Sequence, residues 1–145
     1  METNKLKNSI FTILYKMKKH KFGLKNEEEI KTYIAKNKLL AQRSESGLYY
    51  LISKEGKGKH PSCNSNITIS YIGYFSNGET FDSNERLEIN MEAVIPGWTE
   101  GIQYFKEGGE GILFIPSRLA YGNTDYGSIP AGSVLIFDIQ LIEVQ

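Results

Sequence analysis

The chain of 145 residues predicts an α+β domain: a curved antiparallel sheet of about five strands wrapped on one short helix, preceded by an N-terminal helical extension. Three observations carry this expectation. Up to about Gln42 the apolar residues recur at helical spacing, and after "SESG" they alternate as strands do. An Asn-Gly pair sits between two alternating runs, the signature of a tight hairpin. The one helical segment in the second half, "IPGWTEGIQYF", stands alone among strands.

The elements follow in order. Leu6, Ile10, Ile13, Leu14 and Met17 form one stripe of a helix surrounded by lysines. Two readings of that stripe stand level, a solvated extension and a helix that pairs with a second copy. A membrane-surface helix ranks below both. "KNEEEIKTYIAKNKLLAQ" predicts a firmer helix, with Asn26 as its cap, Glu29 at the capping-box position and an end near Gln42. Ile30, Tyr33, Ile34 and Leu40 make its apolar face. "LYYLIS" and "ITISYIGYF" read as strands, the second with Ile67, Ile69 and Tyr71 on one side, and "SNGE" turns the chain back into a short strand around Leu87 and Ile89. Pro96 opens the short helix, Trp98, Ile102 and Phe105 mark its face, and Gly108 and Gly109 stop it. "GILFIPS" and "VLIFDIQLIEV" are the last strands, with Leu135, Phe137, Ile139 and Leu141 on one face, joined by a polar loop from Arg118 to Ser133. The division is therefore 1–42, a basic arm and helical extension, and 43–145, a single domain.

Charge sharpens that division. The chain holds seventeen basic and seventeen acidic residues, but seven lysines lie in residues 1–25 against Glu2 alone. A basic arm on a mildly acidic domain does not describe a nucleic-acid-binding surface. No apolar run is long enough to span a bilayer, so stable membrane insertion is not expected. "IFTILY" lacks the length and cleavage site of a secretory leader, and a cytoplasmic location is the expectation.

Several chemistries find no support. Cys63 is the single cysteine and has no partner for a disulfide or a zinc site. His20 and His60 stand in the arm and a loop with no carboxylate or cysteine at ligand spacing. "EGKGKHPS" lacks the spacing of a phosphate loop, and Asn66-Ile67-Thr68 is a sequon that runs into a strand. No pair of carboxylates suggests acid–base catalysis. Neither metal nor cofactor is expected.

Aromatic residues remain. Tyr71, Phe81, Trp98, Tyr121 and Phe137 would each read as core, but several flank turns, where side chains line the mouth of a hollow. In order and spacing, "ISYIGYFSNGETFDS", "VIPGWTEGI", "GGEGILFIPSRLAYG" and "IPAGSVLIFDIQLIEV" resemble the FKBP-type peptidyl-prolyl cis–trans isomerases, from about Gly47 to Gln145. The extension resembles the helical N-terminal segments of some bacterial members, certain of which dimerise. A homodimer through the N-terminal helices is thus one expectation.

The resemblance implies a pocket. Tyr71 would be a wall residue, Phe81 a rim residue, and Asp82 the carboxylate that orients polar groups there. Val94 and Ile95 would form the segment whose isoleucine N–H bonds a ligand carbonyl. Trp98 would be the floor under a proline ring, Tyr121 would offer its hydroxyl, and Ile129 and Phe137 would complete the walls. Two departures stand out: Glu85 or Leu87 replaces an aromatic wall residue, and the loop between Tyr121 and Ile129 is one residue shorter. The implied activity is isomerisation of Xaa-Pro bonds in proline-containing polypeptide clients, assisting their folding. Tacrolimus- and rapamycin-type macrolides are the implied pocket ligands.

Such a site needs no cofactor. Rotation about an Xaa-Pro bond crosses a barrier of roughly 18–20 kcal/mol because it breaks amide resonance, and no covalent bond to the protein forms. The alternative reading is a docking module that holds proline segments with little catalysis, favoured by the missing aromatic near Leu87. A purely structural domain, with these aromatics as ordinary core, is the third.

Overall fold

The computed structural model describes residues 20–145. The helix expected through Leu6 to Met17 lies outside them. The described chain runs α1 (Gly23–Lys36), β1 (Gln42–Arg43), β2 (Tyr49–Lys54), β3 (Asn66–Tyr74), β4 (Thr80–Asn90), α2 (Pro96–Gly101), β5 (Glu110–Ile115) and β6 (Leu135–Val144). The strands form one antiparallel sheet of six in the order β1-β2-β5-β6-β3-β4. Its five long strands are those the sequence predicts, and the sixth is the two-residue β1, too short to show a period.

The hairpin between β3 and β4 closes as the Asn-Gly pair predicts, with Phe75 N–H donating to Glu79 O and Gly78 N–H to Phe75 O. Two corrections concern lengths. The strand around Leu87 and Ile89 begins at Thr80, because two bulges carry β4 past residues that break its alternation. The α-helix opened by Pro96 ends at Gly101, followed by a 3-10 turn over Ile102–Tyr104, well before Gly108.

The N-terminal helix carries the larger correction. Phe22, not Asn26, is its N-cap residue, and no side chain caps it. Asn26 is buried inside the helix, where its amide bonds to the loop between β5 and β6. Those partners satisfy both ends of the amide, which one capping bond would not do. Glu29 accepts from Ser76 Oγ at 2.7 Å instead of closing a capping box. The helix stops at Lys36; Lys38 takes a positive φ of 54°, and Leu40, expected on the apolar face, is 92% exposed. Leu39 packs in its place.

Each strand of the centre feeds two layers. On one face Ile67, Ile69, Tyr71, Leu113, Ile115, Leu135 and Phe137 pack with Trp98, Ile102 and Phe105. On the other, Tyr49, Phe114 and Ile136 pack under Ile30, Tyr33 and Ile34 of α1. This accounts for the unbroken apolar runs in "GILFIP" and "VLIFDI", since strands buried on both faces lose their alternation. Full burial of Ile30 stabilises by about 1.5–3 kcal/mol. Around it Glu27 Oε1 accepts from Arg43 Nε at 2.9 Å and from the Tyr49 hydroxyl at 2.6 Å, fastening α1 to β1 and β2.

Candidate functional site: an aromatic hollow

The layer under α2 does not close. A cavity of about 360 Å³ opens there, lined by Tyr71 from β3, Phe81, Asp82, Leu87 and Ile89 from β4, Ala93, Val94 and Ile95, Trp98, the loop tyrosines Tyr121 and Tyr126, and Phe137 from β6. Of the ten residues the sequence singles out, nine line it. Ile129 is the exception: this loop residue is buried in the core and does not border the cavity.

Local chemistry explains the placement. Ile95 O accepts from the N–H groups of Trp98 and Thr99 at 2.9 and 3.2 Å, which starts α2 and turns the indole inward. Gly97 lets the helix press on the sheet, since a Cβ there would lie 2.5 Å from Ile115 Cγ2. Trp98, only 5% exposed, meets Tyr71 and Phe137 edge-on, with centroids 4.9 and 5.1 Å away and planes at 81° and 79°. Phe81 sits at the bulge where Gly73 and Tyr74 of β3 face Asp82 and Thr80 of β4, and it meets Phe137 at 5.6 Å and 85°. Gly73 makes that approach feasible: a Cβ would stand 2.8 Å from both rings. The second bulge, at Asn84–Leu87, separates Glu85 from Leu87. Leu87 pairs with Ile69 and lines the wall, while Glu85 is exposed.

The polar groups divide in two. The Tyr71 hydroxyl donates to Asp82 Oδ2 at 2.6 Å, so that donor is committed. Burial, then the hydrogen bond to Asp82 and its charge, push the Tyr71 pKa well above the ordinary tyrosine value. The Tyr121 hydroxyl and the Ile95 N–H, by contrast, meet no acceptor among the described residues. Trp98 Nε1 is likewise buried without a partner. Burial first, then Tyr126 and Asp82, push the Tyr121 pKa above the ordinary tyrosine value, and its ring stacks on Tyr126 at 4.2 Å and 8°. Asp82 is the one charged side chain in the lining, and no histidine, cysteine or serine accompanies it. The arrangement can hold a flat apolar ring on the indole and donate to a carbonyl beside it. It contains no nucleophile–base pair.

Sequence reasoning missed Gly73, Ile89, Ala93 and Tyr126. Gly73 carried a signal: it continues the inward series Ile67, Ile69, Tyr71, where an inward glycine marks a close approach. Tyr126 carried none, because only the loop fold brings it onto Tyr121.

Residues 57–142 match the family model described as FKBP-type peptidyl-prolyl cis-trans isomerase. The FKBP-type peptidyl-prolyl cis-trans isomerase FkpA of Aeromonas hydrophila is 38% identical over 138 residues, covering 91% of this chain and 52% of the relative. The chain thus spans about half the length of the curated relatives it matches. The crystal structure of FkpA from Escherichia coli superposes with a TM-score of 0.76 at 31% identity, over 99% of this chain and 68% of that one. That of AtFKBP13 superposes at 0.68 and 32% identity, over 73% of this chain and 99% of that one.

Proposed function

The chain belongs to the FKBP-type peptidyl-prolyl cis-trans isomerase family, and from that premise we propose that it accelerates Xaa-Pro rotation in polypeptide clients by binding the twisted amide in the hollow over Trp98. The observation that carries the reading is the pairing of an open aromatic box with two unengaged donors, the Ile95 N–H and the Tyr121 hydroxyl.

The physical account is differential binding. A planar Xaa-Pro amide is strongly polar and well hydrated; twisted by a quarter turn, it loses resonance and much of its charge separation. An apolar box therefore favours the twisted form over the planar one, and only such a difference lowers a barrier. The proline ring rests on Trp98 between the edges of Tyr71 and Phe137, while the preceding carbonyl swings towards the donors of Ile95 and Tyr121. Asp82 acts through Tyr71, whose hydroxyl it holds and whose ring it thereby orients. Each tenfold of acceleration requires about 1.4 kcal/mol of this selectivity.

Isomerisation of an Ala-Leu-Pro-Phe-type peptide, followed with and without a tacrolimus-like macrolide, tests the proposal. Turnover that the macrolide blocks supports it; a folded protein with no effect on the peptide rate overturns it. One observation favours docking as a second reading: Leu87 offers an aliphatic wall where the family often has an aromatic one. Tight macrolide binding without peptide turnover would select that reading.

Two further parts of the proposal concern the whole protein. Pairing through the N-terminal segment is checked by light scattering on the full chain and on one starting at His20; equal monomer masses overturn it. The cytoplasm is the proposed compartment, and recovery of the native protein with an exported fraction overturns that.

A further inference from the structure

The loop 117–132 carries Tyr121 and Tyr126 over the hollow, and loops of that length need fastening to hold a side chain in one place. Its base is a ring of hydrogen bonds. Ser117 O accepts from Gly122 N–H at 2.8 Å, and Gly122 O accepts from Gly132 N–H at 2.9 Å. The ring is completed from outside the loop. Asn26 Nδ2 donates to Gly132 O at 3.0 Å, and Asn26 Oδ1 accepts from Ser117 N–H at 2.8 Å and Ser117 Oγ at 2.6 Å. One side chain of the N-terminal helix thus joins the first and last residues of the loop.

This amide is unusually committed. Asn26 is 1% exposed and Ser117 is 4% exposed, so water does not compete for these bonds. Helix propensity does not account for an asparagine buried in the first turns of α1, since asparagine is a mediocre helix former and makes no cap here. Phe22 strengthens the same joint from the helix start, its ring lying 2.5 Å from where a Cβ on Gly132 would stand. Gly122, the middle link of the ring, directly follows Tyr121, so movement at the base is transmitted to the tyrosine that offers its hydroxyl to the pocket.

We infer that Asn26 is a positioning residue for the pocket: it clasps both feet of the loop 117–132 and through Gly122 holds the Tyr121 hydroxyl over the site. The inference rests on the isomerase reading for its consequence in rate, but not for its consequence in loop order. It also assigns a role to α1 beyond packing, because the helix completes the site from the opposite face of the sheet. Small displacements of a positioning group are expensive in rate, which is why a bond network distant from substrate matters.

The test uses the full chain with Asn26→Ala and, separately, Ser117→Ala, which removes the hydroxyl bond but keeps the backbone donor. Three quantities are read well below the melting transition: kcat and KM on the Xaa-Pro peptide per folded molecule, amide hydrogen exchange across residues 118–131, and the melting temperature. Asn26→Ala is expected to speed exchange in the loop and to lower kcat/KM by roughly tenfold, mainly through kcat. Ser117→Ala is expected to move both in the same direction by less, and it carries the test if Asn26→Ala does not fold. A lower melting temperature with loop exchange and kcat/KM unchanged would mean an ordinary packing role and overturn the inference. If the wild type shows no turnover, the isomerase reading falls instead. Loop exchange alone then decides the clasp: faster exchange in the variants supports it, unchanged exchange removes it.

Discussion

The two faces of the central sheet are built from the same kinds of residue and end differently. Under α1, Tyr49, Phe114 and Ile136 meet Ile30 and Tyr33, and the layer closes. Under α2, Tyr71, Phe137 and Trp98 meet edge to face, and a hollow remains. Their tyrosines tell them apart. On the closed side the Tyr49 hydroxyl is tied to Glu27 and that of Tyr74 to Asp138. On the open side Tyr71 is tied to Asp82, but Tyr121 is tied to nothing described. Aromatic content therefore does not distinguish core from pocket; unengaged donors beside a gap do. The gap beside Trp98 has a local cause: α2 ends at Gly101 and leaves part of the aromatic layer around Tyr71 and Phe137 uncovered.

The contrast can be broken first on the closed side. Phe114→Ala should cost about 3–5 kcal/mol of stability in denaturant unfolding, while kcat/KM per folded molecule changes by less than about twofold. On the open side Trp98→Leu should do the reverse. Its kcat/KM should fall about a hundredfold, ~2.7 kcal/mol, in the peptide assay, with a smaller loss of melting temperature than Phe114→Ala. A Trp98→Leu enzyme of unchanged rate would mean that the hollow is mere packing.

A finer comparison removes single hydroxyls. Tyr49→Phe leaves a buried bond to a carboxylate unmade and should lower stability by about 1.5–3 kcal/mol, without effect on turnover. Tyr121→Phe should leave the melting temperature unchanged and weaken catalysis by about 0.5–1.5 kcal/mol, read as kcat/KM.

The smallest effect is with pH. Tyr49, Tyr71 and Tyr74 all titrate above the ordinary tyrosine value of 10.0, through burial first and then their carboxylate partners. Above about pH 10 the unfolded chain loses these protons while the folded chain keeps them, so stability must fall as pH rises. Below that it is fully present. Melting temperature followed from pH 7 to 11 should thus show no tyrosine-linked loss until about pH 10 and a decline beyond it. A tyrosine-linked loss beginning near pH 8 would mean that these hydroxyls are not held as described.

Much of this molecule could be read before it was seen. Ile67, Ile69 and Tyr71 alternate, Asn77-Gly78 turns, and Pro96 opens a helix: these are local rules acting over a few residues, and the structure follows them. The positions lining the hollow came from what the resemblance to the FKBP-type family implies for the motifs around Phe81, Trp98 and Tyr121, not from any period in the chain. Where the reading went astray, a distant partner outbid a local one. Asn26 looked like a cap and is a clasp, because Ser117 and Gly132 satisfy more of its amide than the helix start could. Leu40 looked like part of a face and is exposed, because the chain turns at Lys38 before the period can run on.

The sequence by itself determined the long elements and the β3–β4 hairpin, since each depends on spacing within a segment or on neighbouring segments, whereas the pairing of β2 with β5 and of β3 with β6 joins strands distant in the chain. Tertiary structure alone decided which aromatics close into core and which border a gap, that bulges turn Phe81 and Leu87 inward, and that Tyr126 lies on Tyr121. It also decided that α1 belongs to the site as well as to the fold. Those outcomes depend on contacts between residues far apart in the chain, whose satisfaction no local pattern records.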